Sequence, residues 1–186
     1  MTILPERLDL VKELVKPGTV GAEIGVYRGG FSRQIFDACQ PAKLFCIDAW
    51  EPYKAYELDS LCHTNQPDNM EATKALMAAE ISAGKCEVIK GYSSMVAKGW
   101  PTPMDFLFLD SNHSFDFVLE DLIAWHRHIK DGGVIMCHDF TETSAGAIAM
   151  KFGVVRAVAE FCTAYGWEVT HITQEPDWPS CAIRRK

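Results

Sequence analysis

The 186-residue chain lacks a basic cluster: its longest Lys/Arg run is Arg184-Arg185-Lys186, and 25 acidic against 18 basic side chains leave a formal charge of −7. With no cationic stripe to neutralise a phosphate backbone, a nucleic-acid partner is not expected. There is neither a run of 18 apolar residues nor a leader of the secretory kind, so the reading includes no membrane partner and no export. The seven cysteines, at 39, 46, 62, 86, 137, 162 and 181, make no C-x-x-C pair. Several lie in apolar runs where a free thiol acts as a small core residue, which suggests a reducing, cytoplasmic setting. Repeats and low-complexity tracts are missing too. Gly25, Gly29 and Gly30 do not make G-x-G-x-x-G, which counts against a nicotinamide-dependent oxidoreductase.

What is present is enough for one core. At 48% hydrophobic, 1–186 reads as a single domain. Its organising stretch is Val20-Gly-Ala-Glu-Ile-Gly-Val-Tyr-Arg-Gly-Gly30: an apolar strand carrying Glu23, a turn at Gly25, and a helix from about Phe31 to Cys39. Such a turn brings backbone close to a ligand, and the helix N-terminus offers unpaired N–H groups. Before it, Leu4 to Val15 carries a helical stripe, giving an N-terminal helix within 1–16 as a lid or packing element. After it, Lys43–Asp48 is a second strand. Residues 49–67 lose periodicity and read as a substrate-side loop. A capping box at Asp68-Asn-Met-Glu71 opens a helix to about Ala83. Cys86–Lys90, Met104–Leu109 and Val134–Cys137 are further strands. Ser114 begins an amphipathic helix to Ile129, and 140–152 is a second substrate-side loop. Val154–Thr163 is a helix, and Trp167–Ile172 and Ser180–Arg184 are closing strands.

Alternating strands and helices specify a doubly wound, Rossmann-like α/β fold: a mostly parallel seven-stranded sheet, helices on both faces and an antiparallel edge hairpin. Ligands of such sheets lie at the carboxyl ends of the strands. Those ends carry Glu23, Asp48, Asp110 and His138-Asp139, and unpartnered buried carboxylates are costly.

Taken in order, Glu23-Ile-Gly-Val-Tyr-Arg-Gly-Gly-Phe-Ser32, Ile47-Asp-Ala-Trp50, Gly91-Tyr-Ser-Ser94, Leu109-Asp-Ser-Asn-His-Ser-Phe115 and Gly132-Gly-Val-Ile-Met-Cys-His-Asp139 resemble the successive motifs of class I S-adenosylmethionine-dependent methyltransferases. The branch is the small methyltransferase-domain group related to metal-assisted small-molecule and sugar O-methyltransferases. The resemblance implies S-adenosyl-L-methionine as cofactor and a small polar acceptor. It places Gly25, Val26, Tyr27 and Gly29 against the cofactor, Glu23 orienting the turn, Ser32 near the methionine carboxylate, and Asp48 on both ribose hydroxyls with Ala49 beside it. It puts Trp50 next to the adenine, Ser93 or Ser94 on the adenine edge, and Asp110 near the amino group. His113, in a D-x-x-H arrangement, would be the general base. Asp110, His138 and Asp139 stand where relatives hold Mg²⁺, but imidazole suits Mn or Zn better than Mg. The alternatives are a non-catalytic cofactor binder of the same fold, or the oxidoreductase. A second subunit closing the site, as a homo-oligomer, is a further expectation.

Overall fold

In the central strands, alternate residues feed two separate cores. Leu107 and Leu109 face one cluster and Phe106 and Phe108 the other; Ile135 and Cys137 split in the same way from Val134 and Met136. A strand covered on both faces has no polar side, which is why these segments read as continuous apolar runs. The computed structural model describes residues 1–51 and 65–186. Its elements are β1 (Thr2–Leu4), α1 (Arg7–Leu14), β2 (Val20–Ile24), α2 (Gly30–Cys39), β3 (Lys43–Asp48), α3 (Gln66–Leu76), α4 (Ala78–Ser82), β4 (Cys86–Lys90), α5 (Ser93–Lys98), β5 (Met104–Leu109), α6 (Phe115–Trp125), β6 (Ile129–Cys137), α7 (Ala145–Ala149), α8 (Val154–Tyr165), β7 (Trp167–Thr173) and β8 (Cys181–Arg185).

The strands form one sheet in the order β1-β7-β8-β6-β5-β2-β3-β4. Only β8 runs against its neighbours, pairing antiparallel with both β6 and β7. The chain steps outward from β2 to β3 to β4, then returns to lay β5 on the other side of β2. That reversal opens a crevice at the carboxyl ends of β2 and β5. On one face α6 and α8 bury Leu122, Trp125, Val158 and Phe161; on the other α1 and α2 bury Leu10, Val11, Ile35 and Phe36.

The seven expected strands are joined by an eighth, β1, parallel to β7. The N-terminal helix therefore begins at Arg7, not near Leu4. Pro5 disfavours helical geometry at Leu4 and holds it extended. Likewise α3 starts at Gln66 with Pro67 in its first turn, a position where proline costs no hydrogen bond. The helix also breaks at Met77 before α4. The expected 140–152 loop contains α7, capped by the Ser144 hydroxyl accepting from the Ala147 N–H. Most of the other expected loop, 52–64, lies outside the described residues. Six cysteines are free and buried; Cys62 lies outside the described residues. No helix among the described residues is long and apolar enough to cross a membrane.

Candidate active site

The parallel ladder continues past the strand ends and delivers the site residues to one edge. The Gly25 N–H bonds to the Ile47 carbonyl, the Asp110 N–H to Ile24, and the His138 N–H to Leu109. Gly25 has φ +87, and a Cβ there would collide with the Asp110 carbonyl. The glycine is needed because β2 and β5 converge here. Asp48 holds the turn: its Oδ2 accepts from the Val26 N–H (2.8 Å) and the Tyr27 N–H (2.9 Å), and Oδ1 from the Trp50 N–H (2.7 Å). A carboxylate has about four acceptor sites, so three backbone bonds leave one for a ligand, where two ribose hydroxyls were expected. Trp50 is 1% exposed and donates its indole N–H to the Tyr27 carbonyl at 2.8 Å. It is packed beneath the turn, with Ala49 partly exposed beside it.

Glu23, on the α2 face of β2, accepts a hydrogen bond from the Ser32 hydroxyl. Burial is the main reason its carboxyl is pushed up to about 8. It is therefore neutral at physiological pH. Gly29, at φ +77, lies against Thr73 of α3, whose hydroxyl donates to the Asn69 carbonyl at 3.1 Å. Gln66, Asn69 and Thr73 are all buried on that helix. The sequence reading passed over them, although their spacing of three and four is that of a single helical face.

At the ends of β5 and β6 the charges are denser. His113 Nε2 lies 2.8 Å from Asp139 and 3.5 Å from Asp110; His138 Nδ1 lies 3.1 Å from Asp139 and 3.3 Å from Asp110. Asp139 adopts φ +56. The His113 ring packs at a tilt against Phe152, centroids 4.6 Å apart, and Phe152 meets Trp178 at 5.6 Å. Burial alone would lower both histidines, but the two carboxylates outweigh it and raise His113 to about 9 and His138 to about 10. Asp110 and Asp139 are held below the ordinary carboxylate range by the same pairings, against the opposing effect of burial. The charged ring of His113 is thus the favoured form at pH 7 in this arrangement. Arg7 Nη1 lies 3.2 Å from His138 Nε2.

The two serines expected on the adenine edge, Ser93 and Ser94, open α5 after β4. Ser93 accepts from the Trp125 indole N–H at 2.8 Å and also bonds Asp121, whose carboxyl burial raises to about 6. The Ser111 hydroxyl donates to the same carboxylate at 2.9 Å. Ser94 lines a groove between α5 and α6 with Lys98, Asp116 and Glu120. Asp121 was missed, though an acid on the stripe Val118, Leu122 and Trp125 is a visible anomaly.

Residues 22–140, well over half of the chain, match the family described as "Methyltransferase domain". The chain belongs to that family. Uncharacterized protein R132 of Acanthamoeba polyphaga mimivirus is 23% identical to this chain over 139 residues, 72% of this chain but only 57% of that protein. Among solved structures, M. capricolum TrmK in complex with S-adenosylhomocysteine is similar to this chain with a TM-score of 0.67 at 12% identity, over 98% of this chain and 69% of that one. The B. subtilis M1A22 tRNA methyltransferase TrmK gives 0.64 at 11%, over 98% and 67%. An O-methyltransferase family protein from Burkholderia thailandensis gives 0.67 at 13%, over 96% and 55%. At these identities the structures attest the Rossmann-like methyltransferase fold, which serves acceptors of several classes.

Proposed function

We propose that this methyltransferase is S-adenosylmethionine-dependent and methylates an oxygen of a small polar acceptor, with His113 as the general base. The observation that carries the reading is the His113–Asp139 pair, 2.8 Å apart, at the strand ends adjoining the Gly25 turn. The net charge of −7 supports a small acceptor over a polyanion.

The crevice fits the cofactor. The left-handed backbone at Gly25 and Gly29 allows close approach beside Val26 and Tyr27, and one acceptor site of Asp48 is left for a ribose hydroxyl. Trp50 and Ala49 support that turn from below, Glu23 and Ser32 brace it against α2, and Asp110 would take the amino group. When bound, S-adenosylmethionine supplies an electrophilic methyl group on sulfur. Asp139 accepts the Nε2 proton of His113 and orients the ring, so that in the uncharged form Nδ1, which has no hydrogen-bond partner among the described residues, is the nitrogen that takes the acceptor's hydroxyl proton. Holding that oxygen in line with the methyl group is the remaining contribution.

The divalent cation suggested by the resemblance has no part in this reading. Donor atoms of Asp110, His113 and Asp139 lie within 4.8 Å of one another, which is close enough to share an ion. However, Arg7 already sets a positive charge 3.4 Å from Asp110, and an imidazole stands at one of the three donor positions. That set is a poor match for a hard dication such as Mg²⁺. Calorimetric titration tests the whole reading: S-adenosylhomocysteine should bind and NAD⁺ should not, and the reverse would overturn it.

A further inference from the structure

The N-terminal helix carries one side chain into the crevice that no sequence pattern singles out. The Arg7 guanidinium lies 4.4 Å over the Phe31 ring, and its Nη1 is 3.4 Å from Asp110 Oδ2 and 3.2 Å from His138 Nε2. The side chain is one-third exposed, at 33%. Among the described residues, nothing bonds its Nε or Nη2. The Nε–Nη2 edge of a guanidinium is the one that grips a carboxylate through two parallel hydrogen bonds.

Phe31, the ring that carries this guanidinium, is the second residue of α2 and is followed by Ser32. No side chain caps α2 at Gly29, so its first N–H groups remain available to an anion. Ser32 was the residue expected to meet the methionine carboxylate, yet its hydroxyl is committed to Glu23. An anion at this helix end therefore needs a donor from elsewhere, and Arg7 is the cation placed beside it.

We propose that Arg7 is a cofactor-binding residue whose Nε–Nη2 edge, together with the α2 N-terminus, holds the carboxylate of the cofactor's methionine moiety. Asp110 and Phe31 keep the guanidinium in place. The proposal rests on the S-adenosylmethionine reading above. It makes α1 part of the cofactor site and no mere packing element.

Calorimetry with S-adenosylhomocysteine and with its carboxamide, in which a neutral amide replaces the carboxylate, tests the assignment. The wild type should bind the acid roughly ten- to a hundredfold more tightly than the amide, the range for a charge-assisted hydrogen bond. Arg7→Ala should lose about that factor for the acid, keep wild-type affinity for the amide, and cease to discriminate between them; Arg7→Lys should fall between. Equal affinity of the wild type for acid and amide would overturn the proposal without recourse to any variant. So would an Arg7→Ala protein that still discriminates as the wild type does. Failure of the cofactor reading itself would look different: the wild type would bind neither compound.

Discussion

The two halves of the crevice handle buried acids in opposite ways. On the β2–β3 side, Glu23 is neutral, bonded to one hydroxyl, and Asp48 is bound by backbone N–H groups two to twenty-two residues away. On the β5–β6 side, Asp110 and Asp139 remain charged and are answered by His113, His138 and Arg7, the last more than a hundred residues away in sequence. The first half is a backbone cradle with little net charge, suited to holding a ligand in one pose. The second is a cluster of ionised side chains, suited to moving a proton. The proposed methyl transfer needs both, and Gly25 lets β2 and β5 meet there.

Separating the halves by mutation should give effects of different size and kind. The largest belongs to His113→Ala, which should cut methyl transfer about 10²- to 10⁴-fold, the usual contribution of a general base, while S-adenosylhomocysteine affinity stays near wild type. Full turnover in the variant would assign the base elsewhere. Because only the uncharged ring accepts a proton and His113 lies at about 9, wild-type turnover should climb with pH through that value; a decline there would contradict the role. Next, Asp48→Ala should weaken S-adenosylhomocysteine binding by about 1.5–3 kcal/mol, the loss of a hydrogen bond to a charged group. Unchanged titration would remove Asp48 from the cofactor site.

A smaller effect concerns stability. Folded Glu23 keeps its proton to about pH 8, whereas the unfolded chain releases it near 4.5. The unfolded state therefore binds fewer protons in that interval, and stability must fall as pH rises through it. Glu23→Gln, which is neutral throughout, should flatten the decline in melting temperature; parallel curves for the two proteins would show that Glu23 is not buried as described. The smallest effect is none at all: dialysis against a chelator should leave methyl transfer intact. Activity lost on chelation and restored by Mg²⁺ would put a cation among the donors of Asp110, His113 and Asp139.

Much of the fold was legible because it rests on local rules. Met104–Leu109 reads as a buried strand from its composition alone, and Val20 to Gly30 as strand, turn and helix from its glycines. β1 was missed because three residues carry no periodicity, and only pairing with β7, far along the chain, makes them a strand. In the site, Asp110, His138 and Asp139 were visible as polar residues at strand ends, and His113 only through the D-x-x-H arrangement of the resemblance. Arg7 was not, since any surface helix carries such a residue. Ser93 sat at the right strand end, but tertiary packing turned its hydroxyl to Trp125 and Asp121.

By itself, then, the sequence determined the order of strands and helices and which residues end each strand, because side-chain period and turn chemistry are properties of neighbours in the chain. Tertiary structure decided the charge those residues carry and the partners they keep. Burial made Glu23 neutral, two acids made His113 a cation, and the packing of α1 against α2 laid Arg7 across the crevice. Such energies depend on which groups meet after the chain has closed, and nothing in their sequence spacing encodes that meeting.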